Sequence, residues 1–273
     1  MLIIYDFISY TDVFTYNITT LESLLIYAMK TITYQSDYLG NGFEFATINQ
    51  PDDYEGKVVA TVIRKQCSMP SNKAVLYVHG FNDYFFQSDM AHRFNEKEYH
   101  FYAIDLRKYG RSTLPHHKSN NMRSLTEYFA DLDEALDIIR QEGNEQVLLS
   151  GHSTGGLLVT LYASERVGNE KFDTIFCNSP FYDMNMPGYQ KRLLVPLVAL
   201  FGKYFPDVLL PGKISEWYGH SLHGEKKGEW DYNLVWKPHL VPALNAGWIS
   251  AIHQGHTKIK KGIILTRPIL VMH

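Results

Sequence analysis

The chain has 273 residues, of which 45% are hydrophobic and 20% charged, and its formal net charge is -3. These values are typical of a globular protein with a large core, and we expect one α/β domain. The charge balance, without any run of Lys and Arg, argues against nucleic acid as a partner.

The sequence also limits location and redox state. Cys67 and Cys177 are the only cysteines, too few for a disulfide framework, and we expect both to be reduced. Residues 1–29 contain three acidic residues and no basic one, so they lack the positive start of a signal peptide. The apolar stretch 193–202 is too short to span a bilayer. We therefore predict a cytoplasmic protein without an integral membrane segment.

The first predicted elements are the two strands of a hairpin. Residues 43–48 and 58–63 are rich in β-branched and aromatic side chains, and turn-forming residues lie between Pro51 and Gly56. The segment before them, residues 1–42, has no predicted role.

A parallel sheet is predicted next. The apolar runs 74–78 and 101–104 do not alternate with polar residues, which is typical of strands covered on both faces. A helix follows from the capping-box spacing at Ser124 to Gly143. Two further strands are predicted around residues 147–149 and 172–177. The alternation of strand and helix predicts a doubly wound sheet.

The sequence pattern changes between residues 184 and 244, where six prolines interrupt apolar and aromatic segments. We interpret this stretch as an inserted cap. Residues 245–261 then predict a helix that ends at Gly262, and residues 268–272 predict a last strand. The expected organisation is a core at 43–183, a cap at 184–244, and a return to the core at 245–273.

The strongest motif is Gly151-His152-Ser153-Thr154-Gly155, which lies between an apolar strand and a helix that starts with small residues. Glycines two positions either side of a serine allow the sharp turn of a nucleophile elbow, in which the serine oxygen is exposed at the tip. The context of strand and helix favours this interpretation over chance.

Through this motif and three further features, the chain resembles the α/β-hydrolase superfamily. The chain is most similar to the monoacylglycerol-lipase-like branch, also described as lysophospholipase-like or serine aminopeptidase S33-like. The other features are His79-Gly80-Phe81 after one strand, the sequence 105–112 after the next, and a cap after the strand at 172–177.

The resemblance implies roles for individual residues. Ser153 would be the nucleophile, and the amides of Thr154 and Phe81 would form the oxyanion hole. Gly80, Gly151 and Gly155 would support this arrangement.

The same resemblance assigns structural roles near the site. We expect His79 and His152 to be structural, and a charge-assisted pair between Asp105 and Arg107 to fix the loop after their strand. Lys108 departs from the family, which usually has glycine there.

The rest of a catalytic triad is not assignable in this sequence. The resemblance places the acid after the family's seventh strand and the histidine after its eighth, whereas residues 268–272 correspond to the seventh. We therefore expect a C-terminally shortened hydrolase that lacks the last strand and helix and is impaired. Asp183 is an alternative acid, although a turn-forming role is favoured. For His220, His223 and His239 we expect packing roles in the cap.

Several alternatives for function stay open. The resemblance implies cleavage of acylglycerol, lysophospholipid or small acyl esters; the rivals are an aminopeptidase on short peptides and a non-catalytic binding protein. The four tryptophans either line an acyl pocket or hold the cap together, and the apolar stretch 193–210 either contacts a lipid surface or packs inward. No metal or cofactor motif is present, so we expect cofactor-free chemistry. The oligomeric state is not predicted.

Overall fold

One eight-stranded sheet runs through the part of the chain that the computed structural model describes, residues 32–210 and 216–273. Its spatial order is β1-β2-β3-β5-β4-β6-β7-β8. Most of the segment without a predicted role, residues 1–31, lies outside the described residues. The strands are β1 (Gln35–Ser36), β2 (Glu44–Asp53), β3 (Gly56–Lys65), β4 (Lys73–Val78), β5 (His100–Asp105), β6 (Gln146–His152), β7 (Thr174–Asn178) and β8 (Ile269–Met272).

The sheet is antiparallel at one side and parallel over the rest. β2 and β3 form the predicted hairpin, and β3 then pairs antiparallel with β5. From β5 onward, through β4, β6, β7 and β8, every pairing is parallel. The predicted, mostly parallel α/β sheet is therefore confirmed. Pro51 lies within β2, next to a register irregularity, rather than in the turn.

Six α-helices lie in the described residues, and the second, third and last of them lie where the sequence predicts a helix. Ser124 and Glu127 form the predicted capping box at the start of a 3₁₀ turn that leads into the second helix. Asn245 caps the last helix by accepting from the amide of Trp248, and Gly262 ends it with φ 95°. The helices are α1 (Ser88–Asn95), α2 (Phe129–Gln141), α3 (Thr154–Glu165), α4 (Val195–Tyr204), α5 (Trp217–Leu222) and α6 (Ala246–Lys261).

The region between β7 and α6 contains α4, α5 and a π-helical turn at Gln190–Leu194. The backbone of α4 approaches that of α6 closely, because a Cβ on Gly202 would collide with the carbonyl of Ala246. The interpretation of residues 184–244 as a separate cap stays a prediction. Among the described residues, no helix is long and apolar enough to cross a membrane.

At the end of β5 and in the loop after it, Asp105 and Arg107 pair with different partners, so the predicted pair between them is wrong. Arg107 instead contacts Asp131 of α2, with 2.6 Å between Nη2 and Oδ1. Asp105 pairs with Arg111 at 2.9 Å, and Arg111 also bonds Asp37 at 2.7 Å. The sequence shows which residues carry charge but not which partners the fold brings to them.

Arg111 also lies against aromatic rings. Its guanidinium carbon is 4.9 Å from the ring centroid of Tyr38, 5.6 Å from Tyr84 and 5.5 Å from Trp236. Such contacts add cation–π attraction to the ion pairs. Trp236 therefore has a packing role.

Lys108 is buried in a left-handed conformation with φ 66°. Its Nζ lies 2.6 Å from Asp53 Oδ2, 2.9 Å from Glu55 Oε2 and 4.0 Å from the ring centroid of Tyr54. Burial is the largest single influence on the pKa of Asp53 and acts to raise it. The hydrogen bonds from Lys108 and from the amide of Glu55, together with the positive charge of Lys108, outweigh burial, so the pKa is lowered. The positive φ explains why glycine suits this position.

Candidate active site

Ser153 lies at the turn between β6 and α3, near the middle of the parallel part of the sheet. Its backbone has φ 52° and ψ -118°, a sparsely populated conformation that costs about 1–3 kcal/mol and is often found at functional sites. The turn has the strand before it and the helix after it that a nucleophile elbow requires.

Glycines at the turn allow the close approach of three backbone segments. A Cβ on Gly151 would lie 2.5 Å from the carbonyl oxygen of Gly155, and one on Gly155 would collide with the carbonyls of Val78 and His79. One on Gly80 would lie 3.2 Å from the Cβ of Ser153. The motif glycines are therefore sterically required.

Backbone hydrogen bonds on both sides hold Ser153 in place. Its amide donates to the carbonyl of Asn178 at 3.1 Å, and its carbonyl accepts from the amide of Phe181 at 2.9 Å. His152 lies beside it, with Nδ1 3.2 Å from the same Asn178 carbonyl. The serine is thus fixed by β7 and the loop that follows it.

His79 is buried and joins two loops. Its Nε2 accepts from the amide of Leu106 at 3.1 Å, which leaves Nδ1 to donate to the carbonyl of Gly80 at 2.7 Å. Burial lowers the pKa of the ring, so it is neutral at pH 7. Both ring nitrogens of His79 are hydrogen-bonded, and these two bonds hold the Gly80 loop in position.

Phe81 and Thr154, the two residues predicted to form the oxyanion hole, line the same cavity as Ser153. The hydrogen bonds found among residues 32–210 and 216–273 include none donated by the amide of either residue. An oxyanion hole requires amides that are available to the substrate. The role of these two amides stays a prediction.

The cavity has a volume of about 550 Å³ and mostly apolar walls. Phe81 and Trp248 lie with ring centroids 4.9 Å apart, and Phe181, Met184 and Tyr232 also contribute to the lining. Trp248 is the one tryptophan among the lining residues, so the predicted aromatic wall contains fewer tryptophans than the sequence suggested.

A buried ion pair borders the cavity. Lys237 Nζ lies 2.7 Å from Asp83 Oδ1, and both residues line the cavity with Ser153. Sequence reasoning missed this pair, because no local pattern connects two residues so far apart in the chain.

Within the described part of the chain, Asp183 forms no hydrogen bond with a histidine. It accepts from Lys191 Nζ at 2.5 Å and from the amide of Met184 at 2.9 Å. The hydrogen bond from Lys191 is the main cause that lowers the pKa of this exposed carboxyl. These are the contacts of a turn-forming aspartate.

No histidine in the described part of the chain is hydrogen-bonded to Ser153 Oγ. His256 comes near through the backbone, with Nε2 2.7 Å from the carbonyl of Phe181. His239 lines the cavity, and neither of its ring nitrogens has a partner among the described residues.

Comparison with known proteins identifies the family and the fold. The sequence profile of the family described as serine aminopeptidase, S33 matches residues 69–273. No curated protein matches the chain.

Solved structures share the fold. A soluble variant of monoglyceride lipase from Saccharomyces cerevisiae, in complex with a substrate analog, is 17% identical with a TM-score of 0.59, covering 90% of this chain and 78% of that one. A monoacylglycerol lipase from Paleococcus ferrophilus is 18% identical with a TM-score of 0.57, covering 77% and 76%. A thermostable carboxyl esterase from Bacillus coagulans, in complex with glycerol, is 15% identical with a TM-score of 0.58, covering 82% and 78%. These likenesses show the α/β-hydrolase fold.

Proposed function

The chain belongs to the serine aminopeptidase S33 family and has the α/β-hydrolase fold, and from this premise we propose that it cleaves carboxylic esters through an acyl-enzyme on Ser153. The observation that carries the proposal is the strained backbone of Ser153, with φ 52°, beside a largely apolar cavity. The substrate class proposed is an acylglycerol, a lysophospholipid or a small acyl ester.

The proposed chemistry uses the residues around the elbow. Ser153 Oγ attacks the ester carbonyl, and the amides of Phe81 and Thr154 donate to the oxyanion. Each such donor contributes about 2.7–4 kcal/mol of transition-state stabilisation in measured cases. The alcohol leaves, and water then hydrolyses the acyl-enzyme. Gly80 and His79 keep the Phe81 amide in position.

Activation of the serine is the weak step. A hydroxyl is a poor nucleophile until a base accepts its proton, and no histidine in the described part of the chain is hydrogen-bonded to Ser153 Oγ. Asp183 would orient a base only after releasing Lys191. We infer that the 273-residue chain turns over slowly, since loss of the base costs up to about a millionfold in a well-studied serine protease.

The cavity favours an uncharged acyl group over a peptide amine. An aminopeptidase needs a carboxylate to bind the substrate's α-amino group, and Asp83, the carboxylate among the lining residues, is already paired with Lys237. Four carboxylates of the predicted cap do not line the cavity: Glu216, Glu225, Glu229 and Asp231.

The test uses a fluorophosphonate probe and two chromogenic substrates. We expect slow labelling of the purified chain that is lost in Ser153→Ala and accelerated by added imidazole, which can accept the proton of the serine hydroxyl. p-Nitrophenyl butyrate should be turned over faster than an amino-acyl naphthylamide. Labelling that survives in Ser153→Ala would overturn the proposal, whereas retention of a ligand without any adduct would favour the binding-protein alternative.

A further inference from the structure

A cluster of metal-ligating side chains lies between β7 and α6, apart from Ser153. One ligand atom from each of His223, Glu225 and His239 lies within 4.8 Å of the others. Two imidazoles and a carboxylate are a donor set preferred by zinc and its neighbours over calcium or magnesium. We propose that these three residues bind one divalent transition-metal ion, with zinc as the expected ion.

The strongest observation concerns His239. Both of its ring nitrogens are buried and have no hydrogen-bond partner among the described residues. Buried polar atoms without partners are destabilising and rare, and an unplaced ion is one established explanation for them. The ring also lies face to edge with His220 and His223, at centroid distances of 5.0 and 5.3 Å. Three imidazoles thus converge on one small region.

The donor atoms of the cluster suit a metal. His223 and His239 each offer a ring nitrogen, and Glu225 offers a carboxylate oxygen that supplies negative charge beside them. Imidazole nitrogen and carboxylate oxygen are both established zinc ligands.

His223 is already oriented by its backbone contacts. Its Nδ1 accepts from the amide of Glu225 at 3.1 Å, which assigns the ring proton to Nε2, 3.1 Å from the carbonyl of Tyr232. A ring nitrogen that donates to a backbone carbonyl is the usual outer contact of a metal-bound histidine. To bind the ion, Nδ1 exchanges the Glu225 amide for it.

The change in geometry that binding requires is small. Ligand atoms 2.0–2.1 Å from a tetrahedral zinc ion are about 3.3 Å apart, so the cluster must contract by about 1.5 Å. Glu225 is exposed and can move by this amount. Three protein ligands leave one position for water.

The ion would connect the turn after α5 to the wall of the Ser153 cavity. His223 follows α5, Glu225 lies in the next turn, and His239 lines the Ser153 cavity. A metal bond between them would fix this wall, and the proposal does not depend on the chemistry of Ser153.

The test measures zinc bound by the full chain after chelator treatment, with a chromophoric chelator as competitor. We expect one zinc ion per chain, a rise in Tm, and visible absorption typical of tetrahedral coordination when cobalt replaces zinc. Ser153→Ala should bind equally, which separates this proposal from the proposed function. Glu225→Gln, at an exposed position, should weaken binding at least tenfold without unfolding the chain, and His239→Gln should abolish stoichiometric binding.

A matched control is the other neighbouring histidine pair, His116 and His117, whose ring centroids lie 4.4 Å apart. The double variant H116Q/H117Q should keep one zinc ion per chain. Loss of the ion in this control but not in His239→Gln, or no stoichiometric binding by the unchanged chain, would overturn the proposal.

Discussion

The ammonium of Lys237 lies 2.7 Å from the carboxylate of Asp83, although 154 positions separate the two residues. Both side chains are less than one-tenth exposed. Asp83 belongs to the loop that carries Phe81, and Lys237 belongs to the facing wall of the cavity. Asn82 strengthens this connection by donating to the carbonyl of Pro238 at 3.3 Å.

Removal of one partner from this pair should be costly. In Lys237→Met the Asp83 carboxylate stays buried without its cation, and we expect a loss of about 3–5 kcal/mol in the free energy of unfolding. The double variant K237M/D83N should lose less than the sum of the two single variants. Urea unfolding measures the stability of Lys237→Met, Asp83→Asn and the double variant. If the losses of the two single variants add up to the loss of the double variant, the described contact is contradicted.

Gly155→Ala should damage both stability and reactivity. The new Cβ would collide with the carbonyls of Val78 and His79, so β4 and the loop after it must shift. We expect a loss of more than about 2 kcal/mol, in the range of overpacked sites, and a fall in fluorophosphonate labelling. Gly188→Ala is the control, because nothing lies within 4 Å of its Cβ position. Equal effects at both positions would show that the approach at Gly155 is not tight.

At position 108 we expect glycine to give a more stable protein than alanine, which reverses the usual order of stability. Replacement of Lys108 by glycine or alanine leaves Asp53 and Glu55 without their cation, so both variants lose stability. Because φ is 66°, however, Lys108→Gly should be more stable than Lys108→Ala by about 1 kcal/mol. Urea unfolding of the two variants isolates the backbone contribution. A more stable alanine variant would mean that the loop has relaxed to a negative φ.

Stability should fall in mild acid because of buried histidines. Burial lowers the pKa of His79 and His256 below the ordinary 6.5. Below about pH 6.5 the unfolded chain takes up protons that the folded chain does not, so the free energy of unfolding decreases as pH falls. His256→Gln should show a smaller decrease between pH 7.5 and 5.5 than the unchanged chain. If the substitution acted only through packing, it would lower the free energy of unfolding by the same amount at pH 7.5 and at pH 5.5.

The outward face of α4 should bind lipid aggregates. Leu193, Leu197 and Leu200 are 68%, 65% and 57% exposed, which contradicts inward packing for these residues and favours contact with a lipid surface. We expect L197E/L200E to weaken binding to phosphatidylcholine vesicles while the rate with soluble p-nitrophenyl butyrate stays unchanged. Vesicle flotation measures the first and absorbance the second. Unchanged flotation would leave this face without the proposed role.

Local patterns predicted much of the fold. The continuous apolar runs predicted β4, β5 and β6, because strands covered on both faces do not alternate between apolar and polar residues. Asn245 and Gly262 marked the ends of α6, because helix ends need a side-chain acceptor and a residue that adopts positive φ. The elbow at Ser153 was recognisable because its sharp turn needs glycines two positions either side of the serine. Its catalytic role stays a prediction.

Elements and contacts without a local pattern were missed. α1 has only eight residues, is polar on average and buries only Ala91, so the sequence offers few apolar positions that would mark it as a helix. The partners of Arg107, Lys237 and His239 depend on segments that meet only in the folded chain. Charge and residue type indicate that such side chains need partners, but chain topology decides which ones they find.

The contacts of Arg111 also bear on the order of folding. Its guanidinium joins Asp37, near the start of the described chain, to Asp105 in the middle and the ring of Trp236 near the end. The entropy of closing the long loops to Asp37 and Trp236 is lost before these contacts can form, so we expect them to form after the transition state. Interactions of this kind slow unfolding rather than accelerate folding. Arg111 therefore contributes chiefly to the lifetime of the native state.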